Sequence, residues 1–215
     1  VFLIIMYYWP MLGVRYAFYD YKPVGTPAYV GFKHFQKMFA TKDFWRAFTN
    51  TLELSIVRLI ITNVSAVIVS LFLNEMKNLF AKKTLQTIIY LPHFMSWAVV
   101  ASIFSLFLSP SSTGMINGLL RDIGILGPDD KNIYFLANKA WWRPIFYFIN
   151  IWKETGWGTI IFLATLSGIN PELYEAADID GASRMQKIRF VTLPALTNTI
   201  ITVLILNLAK VLNMF

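Results

Sequence analysis

The sequence predicts an all-α fold: a polytopic bundle of transmembrane helices, with at least five spans in 215 residues. Three observations carry this. The composition is 56% hydrophobic and 16% aromatic but only 14% charged, less charge than a soluble domain of this length carries. Apolar runs near the roughly 20 residues that cross a bilayer recur at residues 1–18, 48–73, 84–108, 144–166 and from 195 onward. Residues 170–194 are the one long mixed-charge segment set directly between two strongly apolar runs. The whole of 1–215 reads as a single transmembrane domain, multi-pass and cut at both ends. Val1 opens inside an apolar run without an initiator methionine or basic leader, Phe215 closes inside another, and nothing reads as a cleavable signal peptide.

Charge and cysteine usage narrow the class. The net charge of +7 suits anionic lipid headgroups or an acidic substrate, though basic loops are usual in membrane proteins. Cysteine is absent, which excludes disulfides and thiolate metal sites. Membrane lipid is an expected partner; nucleic acid and metal are not.

The first run, 1–18, is interrupted by Pro10 and Gly13, which a membrane helix tolerates when neighbours satisfy the freed backbone groups. Residues 20–46 are polar and turn-rich, with Lys22-Pro23, Gly25-Thr26-Pro27 and Gly31. Residues 39–48 suit a short interfacial helix with Phe44 and Trp45 at headgroup depth. The second run, 48–73, carries Glu53, Arg58 and Asn63. Arg58 lies about ten residues in, or ~15 Å along a helix. A charge at that depth faces a bundle interior or a wet cavity. Two readings stand: an ion pair with a carboxylate on a neighbouring helix, or a lining residue of a transport path.

Residues 74–83 form a short loop with Lys77, Lys82 and Lys83. The third run, 84–108, is expected as one span holding Pro92, His93 and Trp97. With no second histidine or cysteine nearby, His93 reads as a hydrogen-bonded interior histidine or a polar pore wall, not a metal ligand. Residues 109–143 are the longest loop. Ser109-Pro110-Ser111-Ser112 and Gly127-Pro128-Asp129-Asp130 mark turns, residues 115–123 suit a short amphipathic helix, and Trp141-Trp142-Arg143-Pro144 anchor the interface. The fourth run, 144–166, contains Gly156 and Gly158, which permit close helix approach. The fifth contains Asn198, Asn207 and Lys210. Lysine and arginine are about equally dense in the loops on the two sides, so the positive-inside rule gives no orientation.

The fourth run also holds the candidates for a solute path: Asn150, Trp152, Lys153, Glu154 and Trp157, joined by Arg58, His93 and Trp97. Lys153 and Glu154 point about 100° apart on a helix and do not simply neutralise each other. Tryptophan beside polar groups suits a sugar, whose C–H face stacks on the ring while its hydroxyls hydrogen-bond. The other reading makes the tryptophans interface belts and the charges interhelical locks. No GxxxxGK[ST] phosphate loop, GxSxG elbow or HExxH pair occurs. Gly156-Trp157-Gly158-Thr159 lacks the lysine and lies in a membrane run. The chain is therefore expected to be no enzyme and to hold no cofactor, so work must come from a partner.

Within 170–194, Asn170 caps, Pro171 suits the first helical position, and Glu172 and Glu175 place negative charge at the positive helix end. Ala176 and Ala177 are small enough for another surface to approach the backbone. Asp180-Gly181 signals a turn, followed by a second short helix over 182–190 and then Leu193-Pro194.

Glu175-Ala176-Ala177, Asp180-Gly181-Ala182 and Leu193-Pro194 together resemble the EAA loop of bacterial binding-protein-dependent ABC importers. Three further stretches resemble the oligosaccharide and polysaccharide permease branch, LplB-like and related to the maltose and alginate importer permeases. They are Asp43-Phe44-Trp45-Arg46 with Asn50-Thr51, Tyr90-Leu91-Pro92-His93-Phe94 with Ser96-Trp97, and Ile151-Trp152-Lys153-Glu154 with Gly156-Trp157-Gly158. The resemblance runs over nearly the whole chain. It implies a type I importer permease fold in the bacterial inner membrane, with 170–194 as a cytoplasmic coupling helix. It also implies a second homologous permease, a solute-binding protein outside, a saccharide substrate, and a separate ATPase dimer that holds ATP and Mg. Glu175 is then the expected ATPase contact, with Ala176 and Ala177 allowing close docking and Asp180-Gly181 setting the turn. Leu173, Ile179, Ile188 and Phe190 would fill the ATPase groove or pack on the bundle. Transport would proceed by alternating access. An importer of another small solute such as a polyol phosphate, a scaffold subunit without a pathway, and an intramembrane enzyme are the alternatives.

Overall fold

The computed structural model describes residues 1–22, 25–111, 114–127, 130–209 and 211. The expectations for Pro23, Ser112, Pro128, Asp129 and Lys210 lie outside the described residues. Two compact units are distinguishable, one over Val1–Leu54 and the other from Ser55 onward.

In the first unit, the run expected as one membrane helix is a succession of three helical types. A π-helical turn, Ile4–Tyr8, leads into α1 (Trp9–Met11) and then a 3-10 segment, Leu12–Phe18. Pro10 has no N–H to give to the preceding turn, and the Trp9 N–H reaches back to the Ile4 carbonyl instead. Two short strands, β1 (Tyr19–Asp20) and β2 (Ala28–Tyr29), pair antiparallel with Tyr19 opposite Tyr29, a small exception to the all-α expectation. The interfacial helix expected over 39–48 is instead the end of one helix and the start of another. α2 spans Lys33–Ala40, and α3 (Lys42–Glu75) begins after the extended Thr41. The Thr41 hydroxyl turns back to the Lys37 carbonyl at 2.8 Å and helps end α2.

At 34 residues, α3 is about 51 Å long, more than the ~30 Å of a hydrocarbon core. α4 (Leu79–Tyr90) starts at Asn78, whose side chain accepts from the Ala81 N–H. The loop between them is thus shorter than 74–83. The third run is not one straight span: α4 passes into a 3-10 turn, Leu91–Phe94, and the chain then bends by 101° into α5 (Trp97–Phe107). The physical reason is local. Pro92 interrupts the donor ladder, and Ser96 caps a new helix by accepting from the Val99 N–H at 3.3 Å.

α6 (Met115–Asp122) occupies the long loop after α5. Its Asn117 is fully buried, donating to the Ser109 and Ile133 carbonyls and accepting from the Ile133 N–H. Arg121 ties the same loop through the carbonyls of Gly127 and Asp130 and the side chain of Asn132. α7 (Trp142–Ser167) follows, then α8 (Glu172–Ile179), α9 (Arg184–Lys187), a π-helical turn at Ile188–Thr192, and α10 (Leu193–Leu208). The second short helix expected over 182–190 is therefore not a separate element. Pro194 lacks an N–H, the Leu193 N–H bonds to Ile188 across a wider turn, and the helix continues into α10.

The core of the second unit is built by α3 (Ala66, Leu73), α7 (Phe162, Leu163, Leu166) and α10 (Leu196, Val203). In lipid, helices gain little from hiding apolar surface, so contact and small interhelical hydrogen bonds hold them. The Thr165–Thr199 hydroxyl pair at 3.1 Å is one such bond, worth roughly 0.6 kcal/mol on average. Closer approach comes from glycine. A Cβ at Gly156 would run into the backbone of Ile89 and Tyr90, and one at Gly158 would sit 2.7 Å from the Ala66 Cβ. Among the described residues, Lys42–Glu75 and Arg184–Leu208 are long and apolar enough to cross a membrane, and the bent pair makes up to three spans. α7 has the length, 26 residues, but carries Arg143, Lys153 and Glu154.

Candidate functional site

A cavity of about 480 Å³ opens among α3, α7 and α10. α3 contributes Arg58, Thr62 and Asn63; α7 contributes Glu154, Trp157 and Gly158; α10 contributes Asn207. His93 reaches it from the 3-10 turn before the bend. Glu154, Trp157, Gly158 and Ile161 follow the i, i+3, i+4, i+7 spacing of one helix face, so α7 presents a single mixed face to this space, with Glu154 as its charged member.

The His93 ring lies flat on Trp157, with centroids 5.1 Å apart and planes 16° from parallel. Its Nδ1 is 3.3 Å from Glu154 Oε2 but is not aligned with it as a hydrogen bond. The Asn63 Nδ2 is buried without a hydrogen-bond partner among the described residues. A buried amide donor of that kind is costly unless something accepts from it, and water or a polar ligand entering the cavity would offer such an acceptor. Together the lining offers a stacked aromatic face, a cation, a carboxylate and amide groups, the set that recognises a polar ligand with apolar faces.

Arg58, His93, Glu154 and Trp157 are thus brought together. The remaining sequence candidates for the path are not. Lys153 is 4% exposed and points behind the cavity wall: its Nζ donates to the His93 carbonyl at 2.9 Å and lies 5.2 Å from the centre of the Trp97 ring. Its Nζ is 3.9 Å from Glu154 Oε1, so the two adjacent charges do approach at their tips. Asn150 is buried and donates to the Phe146 carbonyl of its own helix at 2.7 Å. Trp152 meets Phe104 edge-on and lines a separate apolar groove with Ile103, Phe107, Leu108, Ile116, Ile145 and Phe148. Asn63, Thr62 and Asn207 were not singled out for the site by sequence. The available signal was the spacing of Thr62 one turn after Arg58.

The 170–194 loop has a defined geometry. Asn170 caps α8, its side chain accepting from the Glu172 N–H at 3.1 Å and donating to the Glu172 carboxylate at 3.0 Å. Glu175 and Ala176 are exposed, and Ala177 is half-buried. Gly181 has φ +73°, a left-handed conformation that glycine adopts without strain. Ser183 and Gln186 form a reciprocal capping box at α9. Lys187 reaches back to Asp178 at 2.7 Å, and the Tyr174 hydroxyl meets Thr192 at 3.0 Å. These contacts hold α8 against the start of the helix that ends in α10 while leaving Leu173, Ile179 (87% exposed), Met185 and Phe190 uncovered.

Residues 66–215 match the family described as the binding-protein-dependent transport system inner membrane component. Protein LplB of Bacillus subtilis (strain 168) is 41% identical over 217 residues, covering 100% of this chain and 66% of LplB. The polygalacturonan/rhamnogalacturonan transport system permease protein YteP of the same strain is 38% identical, again over 100% of this chain and 66% of YteP. The chain thus spans just under two thirds of the length of these curated relatives. A chain in the crystal structure of a bacterial ABC transporter involved in the import of the acidic polysaccharide alginate superposes with a TM-score of 0.88 at 40% identity, covering 99% of this chain and 70% of that one. With the family matched over most of its length and the fold shared with a solved transporter, the chain belongs to the binding-protein-dependent transport system inner membrane components.

Proposed function

We propose that the chain is the permease subunit of an ATP-driven importer that moves an oligosaccharide through the inner membrane. The observation that carries the reading is the polar cavity inside an apolar bundle, where His93 stacked on Trp157 stands beside Glu154, Arg58 and an unpartnered Asn63 amide. The saccharide class is supported by relatives described as permeases for polygalacturonan and for lactose, and by the alginate importer fold. In this reading the bundle has five spans: residues 1–18, α3, the bent α4–α5 pair, α7, and the helix ending in α10. α7 crosses although it is charged, because Lys153 is buried and Glu154 faces the cavity instead of lipid.

The 170–194 loop is the cytoplasmic coupling element, and its exposed apolar residues dock on a separate ATPase dimer that holds ATP and Mg. Glu175 pairs there with a basic group. A second permease completes the pathway, and a solute-binding protein delivers the saccharide from outside. ATP-driven closure of the ATPase dimer moves the coupling loops and exposes the cavity to each side in turn.

The test is ATP hydrolysis in proteoliposomes holding this subunit with its companion permease, ATPase and binding protein, across a panel of neutral and uronic-acid oligosaccharides. Stimulation by one class, abolished by Glu175→Lys together with ATPase association, is the expected result. Hydrolysis and association indifferent to Glu175→Lys would sink the coupling assignment, and a flat response to every saccharide would sink the substrate class.

A further inference from the structure

α7 grips the bend of the broken span along one stripe. Gly156 lies against the backbone of Ile89 and Tyr90 at the end of α4. One turn earlier on the same face, Lys153 donates to the His93 carbonyl at 2.9 Å. In the 3-10 turn, the Pro92 carbonyl takes the Met95 N–H at 3.2 Å. Met95 and Ser96 are then extended, and α5 leaves at 101°. Carbonyls at a helix end have no intrahelical donor and must be met by something else. For His93 that donor is an ammonium from a different helix. The buried charge is in turn met by the Trp97 ring and by Glu154, as an ammonium out of water requires.

We propose that Lys153 is a positioning residue. By holding the His93 carbonyl it fixes the bend, so that the His93 ring stays flat on Trp157 and closes one wall of the cavity. This rests on the reading of that cavity as part of a solute path. It assigns the two adjacent charges of α7 different work: Glu154 meets the cavity contents, while Lys153 meets only protein. Arg58 then supplies the cationic side of the lining.

The experiment reads the stack directly by ¹⁹F NMR of the 5-fluorotryptophan-labelled subunit, assembled with its companion subunits in nanodiscs. Trp157→Phe assigns the Trp157 resonance, and His93→Ala defines its unstacked position. Lys153→Met, which keeps the length and removes the ammonium, is expected to shift the Trp157 resonance to the unstacked position while those of Trp142 and Trp45 hold. Lys153→Arg, which keeps a charged donor, restores the native position. On the His93→Ala background, Lys153→Met shifts Trp157 no further. A Trp157 resonance unmoved by Lys153→Met overturns the proposal. If that variant does not assemble, Lys153→Gln is read in the same way, and an unmoved resonance again overturns it. The spectrum needs no saccharide, so a failed transport assay and a failed positioning role are told apart.

Discussion

Gly156→Ala isolates the contact that sets α7 against α4. A Cβ there meets the Ile89 carbonyl oxygen, the Tyr90 Cα at 2.9 Å and the Ile89 carbonyl carbon at 3.1 Å. All three are backbone atoms, so no rotamer change relieves the overlap. Inserting a methyl into a packed interior costs about 1–3 kcal/mol, and the rigidity of these neighbours argues for the upper half. Alanine returns up to about 1 kcal/mol of helix propensity, leaving a net loss of about 1–2 kcal/mol. For a chain of this size that lowers a melting midpoint by roughly 2–8 °C. The assay is thermal unfolding of the purified complex, followed by loss of the monodisperse peak in size-exclusion chromatography. Gly168→Ala, whose nearest neighbour is at an ordinary 3.5 Å, serves as the control. Gly158→Ala supplies an internal check, because its obstacle is a removable side chain, the Ala66 methyl at 2.7 Å. It is expected to destabilise alone and to recover with Ala66→Gly. A Gly156→Ala complex melting with the wild type would refute the close approach and, with it, the account of how the bend carrying His93 is held.

Two further outcomes follow. Gly181→Ala forces a side chain into the left-handed region at φ +73°, at about 1–2 kcal/mol; it is expected to weaken saccharide-stimulated ATP hydrolysis without lowering membrane insertion, and wild-type stimulation would count against the turn's coupling role. Because the chain has no cysteine, single substitutions report access cleanly. Thr62→Cys and Asn63→Cys on the cavity wall are expected to react with a membrane-impermeant methanethiosulfonate reagent, and Trp152→Cys in the apolar groove is not. Equal labelling of all three would dissolve the distinction between cavity and groove.

What the sequence made legible were features written in single residues. The short helix at Met115–Asp122, the turn at Gly181 and the cap at Asn170 each follow from local chemistry, and the two glycines of α7 lie where helices meet closely. Features that depend on which helix lies opposite were harder to read. The third run, 84–108, is expected as one span with Pro92 inside it, and membrane helices do hold prolines. The deciding signal was Ser96, a cap residue four positions later that starts a second helix instead of continuing the first. Pro194 had the opposite outcome: a π-helical turn before it carried the helix through. By sequence Lys153 and Glu154 are both candidates for the path, pointing about 100° apart on one helix. Only the positions of His93, Trp97 and Arg58 on other elements separate their surroundings.

That separation explains α7 as a whole. At about 100° per residue, its residues sort into three faces with different neighbours. Ile145, Phe148 and Trp152 face the apolar groove. Lys153 and Gly156 face the bend between α4 and α5. Glu154, Trp157, Gly158 and Ile161 face the cavity. A helix with this division cannot be uniformly apolar, which sets α7 apart from α3 and the helix ending in α10, both long and apolar enough to cross a membrane. The charges of α7 are met where they stand: Lys153 by a carbonyl and a ring, Glu154 by a histidine and a cavity wide enough for water or solute. A helix that met lipid on all sides would have to lose those charges. α7 keeps them because the two faces that carry them are turned toward protein and toward a polar space.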